Sequence, residues 1–200
     1  VEILLDPALT RSAAPDVDDR HVIVSDTFNV LDARGAGATE DRSADLGVTA
    51  MRVATGTLEA RSNATSSGTL TAAAGATLRF GGGVQTLTAA SNVTGAGIVE
   101  LTAGTVTSVG NWNVLGVTRL TGGTFDFNAL GLAATLDVAG GTRAGSGSID
   151  VTTAMTWTAG DLFGGGGLTR VGNAATLAIS GTAARTLNAQ TLEVAGVGTW

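Results

Sequence analysis

Apolar and polar residues alternate along much of this chain in short runs, and each run ends at a turn of small residues. Four of those turns, Ala103-Gly104-Thr105, Gly122-Gly123-Thr124, Gly140-Gly141-Thr142 and Ala159-Gly160-Asp161, place their third residues 19, 18 and 19 positions apart. A turn recurring at a nearly fixed interval marks a chain wound into stacked coils. Extending the interval gives the anchors Thr69, Thr86, Thr105, Thr124, Thr142, Asp161, Thr182 and Thr199.

Superposing the coils produces columns. Four residues before the anchor lie Leu101, Leu120, Val138 and Trp157; six before it lie Val99, Thr118, Leu136 and Met155. The two columns differ by two, so both point to one side of a strand. Glu100, Thr102, Arg119, Thr121, Asp137 and Thr156 lie between and beside them and face out. One position after the anchor come Leu87, Val106, Phe125 and Leu162, with Arg143 as the misfit. Each coil therefore carries at least two strands. Period-two alternation with abundant Thr, Val and Gly argues against helix. An antiparallel sandwich also has short strands, but it does not need one residue type to recur in one column at each anchor interval. The expected fold is all-β: a parallel β-helix (solenoid), right-handed, with a coil length of about 18–19 positions. Val99, Leu101, Leu120, Leu136, Val138, Trp157 and Ile179 are its expected interior.

Composition divides the chain. Residues 1–55 hold ten of the seventeen acids and three glycines; residues 56–200 hold seven acids and 27 glycines. We read 1–55 as an irregular N-terminal cap or first coils, and 56–200 as regular solenoid repeats. In the first region, Val1–Leu5 is an apolar run, His21–Ser25 and Thr27–Leu31 are strand candidates, and Ala33–Asp45 reads as a loop. The apolar residues are mainly Ala, Val and Leu, and aromatics make up 4%. Such small side chains suit a thin core in which backbones lie close together.

The net charge of −6, without a basic cluster, argues against nucleic acid and against a polybasic membrane anchor. There is no cysteine, which removes disulfides, thiolate metal sites and Cys nucleophiles. No apolar run reaches the length of a membrane-spanning helix. The sequence is read as a piece of a longer polypeptide.

Candidate chemistry is thin. His21 is the only histidine, and it begins a strand. Asp126, Asp137, Asp150 and Asp161 could supply a carboxylate pair for polysaccharide cleavage, but they fall in different columns. Asp16-Val17-Asp18-Asp19 is acidic enough to suggest calcium, yet it lacks the glycine of a calcium loop. Gly164–Gly167 has no following Lys-Ser/Thr, so it is no phosphate loop. Asn63-Ala64-Thr65 and Asn92-Val93-Thr94 match the glycosylation acceptor. The pairs Thr69/Thr71, Thr86/Thr88, Thr105/Thr107 and Thr156/Thr158 read first as good exposed strand formers. They also resemble the flat threonine arrays of ice-binding solenoids. No catalytic residue, metal site or cofactor is expected.

Residues 68–83 (GTLTAAAGATLRFGGG), 93–101 (VTGAGIVEL), 156–161 (TWTAGD) and 185–188 (RTLN) resemble repeats of giant bacterial surface and secreted proteins, the adhesin-like and autotransporter-like β-helices. The resemblance covers about residues 56–200. It implies an extracellular or cell-surface stalk or adhesin without catalysis, and it carries over no binding residue. The implied partners are other segments of the same long chain, neighbouring copies and surface glycans. A carbohydrate-active β-helix enzyme and a glycan- or ice-binding solenoid are the alternative readings.

Overall fold

The computed structural model describes residues 22–26, 29–33, 50–61 and 63–200. The Val1–Leu5 run, the acidic turn at Asp16–Asp19, His21 and residues 34–45 of the expected loop lie outside the described residues. The two strand candidates of the first region appear as Val22–Asp26 and Asn29–Ala33, paired antiparallel with Val24 opposite Leu31.

From Ala50 onward the chain is a parallel β-solenoid of about seven turns, and the described residues contain no helix. Strands stack in three files, one more than the column pattern resolved. The first face runs through Ala50–Val53, Thr69–Ala72 and Asn92–Gly95 to Leu168–Val171 and Thr191–Val194. The second begins with Thr57–Ala60 and ends with Thr176–Ile179 and Val197–Thr199. The third begins with Ala64–Ser66, includes Thr124–Phe127 and ends with Arg185–Asn188. In mid-rod the strands bend round the corners: Leu130–Ala144 and Ser148–Phe163 each serve all three faces.

The predicted inner columns form vertical files. Leu120 pairs with Leu101 above and Val138 below, and Val138 pairs with Trp157. Thr118 pairs likewise with Val99 and Leu136, and Leu136 with Met155. Val99, Leu101, Leu120, Leu136, Val138 and Trp157 are all buried, and Ile179 is partly so. A buried Val or Leu contributes roughly 1.5–3 kcal/mol, and here each one rests on neighbours from the rungs above and below.

The anchor series needs correction at its ends. Thr105, Thr124, Thr142 and Asp161 do stack. Thr86, however, pairs with Thr65 and Thr107, and Val84 takes its expected place over Thr105. Thr69 lies on the first face and Thr199 on the second. Thr186, not Thr182, pairs with Asp161. Leu87 falls beside Ser108, so Gln85 joins Val106 in the inner file. The cause is coil length. Thr124 follows Thr105 by 19 positions and Thr142 follows Thr124 by 18, but the partners Thr69 and Asn92 are 23 apart and Gly160 and Arg185 are 25 apart. A fixed interval therefore slips off the file at either end.

Two local devices let the coils close. The corner before the third face is turned by glycines at positive φ, among them Gly104 (+77°) and Gly123 (+70°). A Cβ on Gly123 would lie 2.5 Å from the Gly104 carbonyl oxygen, so this corner needs glycine for both conformation and space. In mid-rod, Trp112, Phe125 and Phe127 cluster with centroids 4.7–6.3 Å apart. Their bulk is matched by Gly131, the file neighbour of Trp112, where a Cβ would sit 2.7 Å from the Phe127 ring.

Candidate functional site

The candidate carboxylates do not converge. Asp150 projects from the first face, where it lies 3.6 Å from Arg170. Asp137 is on the second face. Asp126 and Asp161 share the third face but sit two rungs apart and two positions out of line, with Thr142 and Ala144 on the rung between. At ~4.8 Å per rung and ~3.3 Å per residue, their backbones are more than ~11 Å apart. The side chain of Asp126 is engaged by Asn128 Nδ2 at 2.9 Å.

Instead, the second face carries an ordered ladder of charge. Glu59, Arg79, Glu100, Arg119 and Asp137 occupy one outward column on five successive rungs, alternating in sign. Arg79 Nε donates to Glu100 Oε2 at 2.8 Å, and Arg119 Nε to Asp137 Oδ2 at 2.9 Å, with Arg119 Nη1 4.0 Å from Glu100. Thr156 closes the column by donating to Asp137 Oδ1 at 2.7 Å. Each carboxylate is flanked by a guanidinium, and Glu100 is only 8% exposed. This ladder was not anticipated from the sequence. Its signal was present as alternating charges 20, 21, 19 and 18 positions apart.

Hydroxyls line the third face in two adjacent outward files. One holds Thr65, Thr86 and Thr107; the other holds Thr105, Thr124 and Thr142. Rungs repeat at ~4.8 Å and the files lie ~6.7 Å apart across the strand. The predicted Thr-x-Thr pairs are thus divided among faces, with Thr69/Thr71 on the first and Thr156 on the second. The first face continues with an amide step in which Asn111 Nδ2 donates to Asn92 Oδ1 at 2.7 Å. Both glycosylation-type asparagines are engaged, since Asn63 Oδ1 accepts from the Val84 amide at 2.8 Å.

The misfit Arg143 does point inward and is fully buried. Its Nη2 donates to the carbonyls of Gly147 (2.6 Å) and Leu168 (3.3 Å), and its Nη1 to Gln190 Oε1. Gln190 Nε2 in turn donates to the carbonyls of Gly145 and Gly164. No carboxylate faces the guanidinium among the described residues, and desolvation lowers its pKa to about 10. The cluster is a clasp between rungs. It offers no open surface, and neighbouring Gly167 has no room for a side chain against it.

The Gly164–Gly167 run closes a corner. Its amides at Gly164 and Gly166 donate to the carbonyls of Asn188 and Ala189, so they are spent within the chain. A void of about 10 Å³ beside Trp112 and Thr118 takes a single water at most, so this part of the core is no ligand pocket. Among the described residues, no group of three metal-ligating side chains comes together, and no helix is long and apolar enough to cross a membrane.

No family model matches this chain, and neither a curated protein nor a solved structure does.

Proposed function

We propose that this chain is a structural or adhesive stalk segment of a large secreted or cell-surface bacterial protein, acting without catalysis. The observation that carries the reading is the internal satisfaction of its outer faces. Acids and arginines neutralise one another rung by rung along the second face. Asparagines bond along the first face. Coils that advance only 18 to 25 positions leave little chain for the long loops that wall a catalytic groove. Such a rod holds distance and direction, and stability summed over neighbouring rungs suits a spacer of variable length. Its expected partners are other segments of the same long chain, neighbouring copies and surface glycans.

Immunogold labelling of intact cells that express the protein tests the location. Label on the outer surface supports the stalk, and label confined to the cytoplasm overturns it. Release of reducing ends or unsaturated sugars from polysaccharides by the purified chain would favour the enzyme reading instead.

The paired threonine files favour one second reading, a surface that orders water or binds glycan. Each file repeats a hydroxyl every ~4.8 Å over three rungs, and the two stand ~6.7 Å apart on the one rung they share, at Thr105 and Thr107. Depression of ice growth below the melting point, abolished by Thr107→Lys and Thr124→Lys, would establish it. A wild-type chain without that effect and without glycan retention would dismiss it.

A further inference from the structure

Acids on the first two faces are matched by arginines. Glu59 lies beside Arg61, Glu100 beside Arg79 and Arg119, Asp137 beside Arg119, and both Asp150 and Glu193 beside Arg170. The third face departs from this rule. Its outward carboxylates are Asp126, whose side chain is held by the Asn128 amide, and Asp161, which is half-buried and has no side-chain partner among the described residues. Arg143 is turned inward there, and Arg185 is spent on the carbonyls of Thr158 and Ser180. The Thr142 hydroxyl, on the rung between the two acids, is also unspent. Phe163 stands two residues after Asp161 on the same outward side. It is 49% exposed although strands lie on both sides of its own. Ala144, outward on the rung between Asp126 and Phe163, presents only a methyl group. The result is a notch floored by Ala144 and walled by Asp126 and Phe163, whose backbones lie ~10 Å apart at two rungs.

We propose that this notch binds one hexose ring of an uncharged glycan, an inference that rests on the reading of surface glycans as partners of the stalk. A pyranose offers two kinds of surface. Its C–H face carries slight positive charge and packs on the electron-rich face of an aromatic ring, here Phe163. Its hydroxyls donate to carboxylate oxygens, and such charge-assisted bonds are the stronger ones. Asp161 stands ~6.7 Å from Phe163 along the strand, and Asp126 faces it across the notch. The Thr142 hydroxyl can donate as well as accept, so it fixes the ring between them. Other occupants fit less well. An acidic sugar would meet two carboxylates that have no cation beside them. A single ammonium group or metal ion cannot bridge the two acids, whose backbones are more than ~11 Å apart. An ordered water layer needs a flat row of hydroxyls, and Asp126, Ala144 and Phe163 interrupt the file that Thr65, Thr86 and Thr107 begin. The notch is shallow and covers far less of its ligand than a deep pocket does, so a short oligosaccharide binds at ~1 mM.

Titration followed by NMR is the test. The probes are neutral oligosaccharides of glucose, mannose and galactose, an oligogalacturonide, and a chitosan oligosaccharide. At least one neutral probe is expected to bind saturably at ~1 mM and more tightly than the two charged ones. Phe163→Ala should weaken that binding about tenfold or more, and Asp161→Asn several-fold, while Leu130→Ala on the first face leaves it unchanged. Both variants of the notch should keep the β-sheet circular dichroism spectrum, since the replaced side chains point outward. If Phe163→Ala loses the spectrum, Phe163→Thr, a good strand former, takes its place. Tighter binding of a charged probe overturns the proposal. So does neutral binding that survives both folded variants, which would still leave glycans as partners through another surface. Absence of binding by every probe overturns the notch and the glycan partner together. None of these outcomes bears on where the rod stands, which the labelling decides.

Discussion

Trp112 Nε1 donates to Thr118 Oγ1 at 3.0 Å inside the rod, joining the first face to the second. Thr118 is the polar member of an inward file that also holds Leu78, Val99, Leu136, Met155 and Leu177. A hydroxyl there is acceptable because the indole, buried among Phe125 and Phe127, needs an acceptor. Thr118→Val keeps the shape and removes the acceptor. It is expected to cost about 1–3 kcal/mol, seen as a lower urea midpoint at unchanged m-value. A valine variant as stable as the wild type would mean the bond contributes nothing.

Arg143 predicts a pH dependence. Burial lowers its pKa to about 10, well below the value an arginine has in the unfolded chain. Between those values the unfolded chain holds the proton more tightly than the folded one, so this residue makes stability rise with pH through that window and leaves it flat below. The background is unusually clean, since the chain has no Lys, Tyr or Cys to titrate there. Urea midpoints should rise between pH 9 and pH 11.5 by the equivalent of about 2 kcal/mol, and Arg143→Met should abolish the rise. Identical pH profiles for the two proteins would contradict the assignment.

The charge ladder predicts a salt-dependent defect. Arg119→Met leaves Glu100 and Asp137 without their shared guanidinium, in a partly exposed setting where about 1 kcal/mol is expected. Arg119→Glu stacks three acids on consecutive rungs and should cost more. Melting in 1 M NaCl should recover most of the difference between the two variants, because screening acts on the repulsion. A difference that survives high salt would place the cost in packing.

Corner glycines should divide by what surrounds them. Gly123 and Gly164 share a positive φ, +70° and +80°, but a Cβ meets the Gly104 carbonyl at the first and nothing within 4 Å at the second. Gly164→Ala should cost about 1 kcal/mol, the conformational penalty alone. Gly123→Ala should cost clearly more, as the added clash forces two rungs apart. Thermal melts of the pair check this, and equal losses would show that space at the corner is immaterial.

The central rungs were legible in the sequence because their period is nearly constant. Leu101, Leu120, Val138 and Trp157 fall into one file when aligned on turns 18 or 19 positions apart. The first face was not resolved, because its inner file runs Val93, Trp112, Gly131, Ile149, Thr169 and no single residue class repeats. Coil length is set by corners, and corners vary freely at the surface, which is why Thr69, Thr86, Thr182 and Thr199 left the anchor file. Arg143 stood out as a misfit and is an inward residue. Its partner Gln190 comes from 47 positions away at a corner of another rung, a contact that column alignment does not encode. Asp126, Asp137, Asp150 and Asp161 fall in different columns of the sequence, and they project from three different faces. The alternation that organises Glu59, Arg79, Glu100, Arg119 and Asp137 becomes visible only once charges are placed on the coil period.

Paired cysteines test the stacking of rungs most directly, since the natural chain has none. Thr105 and Thr124 are register partners on adjacent rungs, as are Thr124 and Thr142, so each pair stands ~4.8 Å apart. Thr105 and Thr142 are separated by a whole rung, beyond the reach of a disulfide. Under mild oxidation the double substitutions Thr105→Cys/Thr124→Cys and Thr124→Cys/Thr142→Cys should close internal disulfides, and Thr105→Cys/Thr142→Cys should keep free thiols. Cross-linking of the distant pair alone, or of none, would contradict the solenoid.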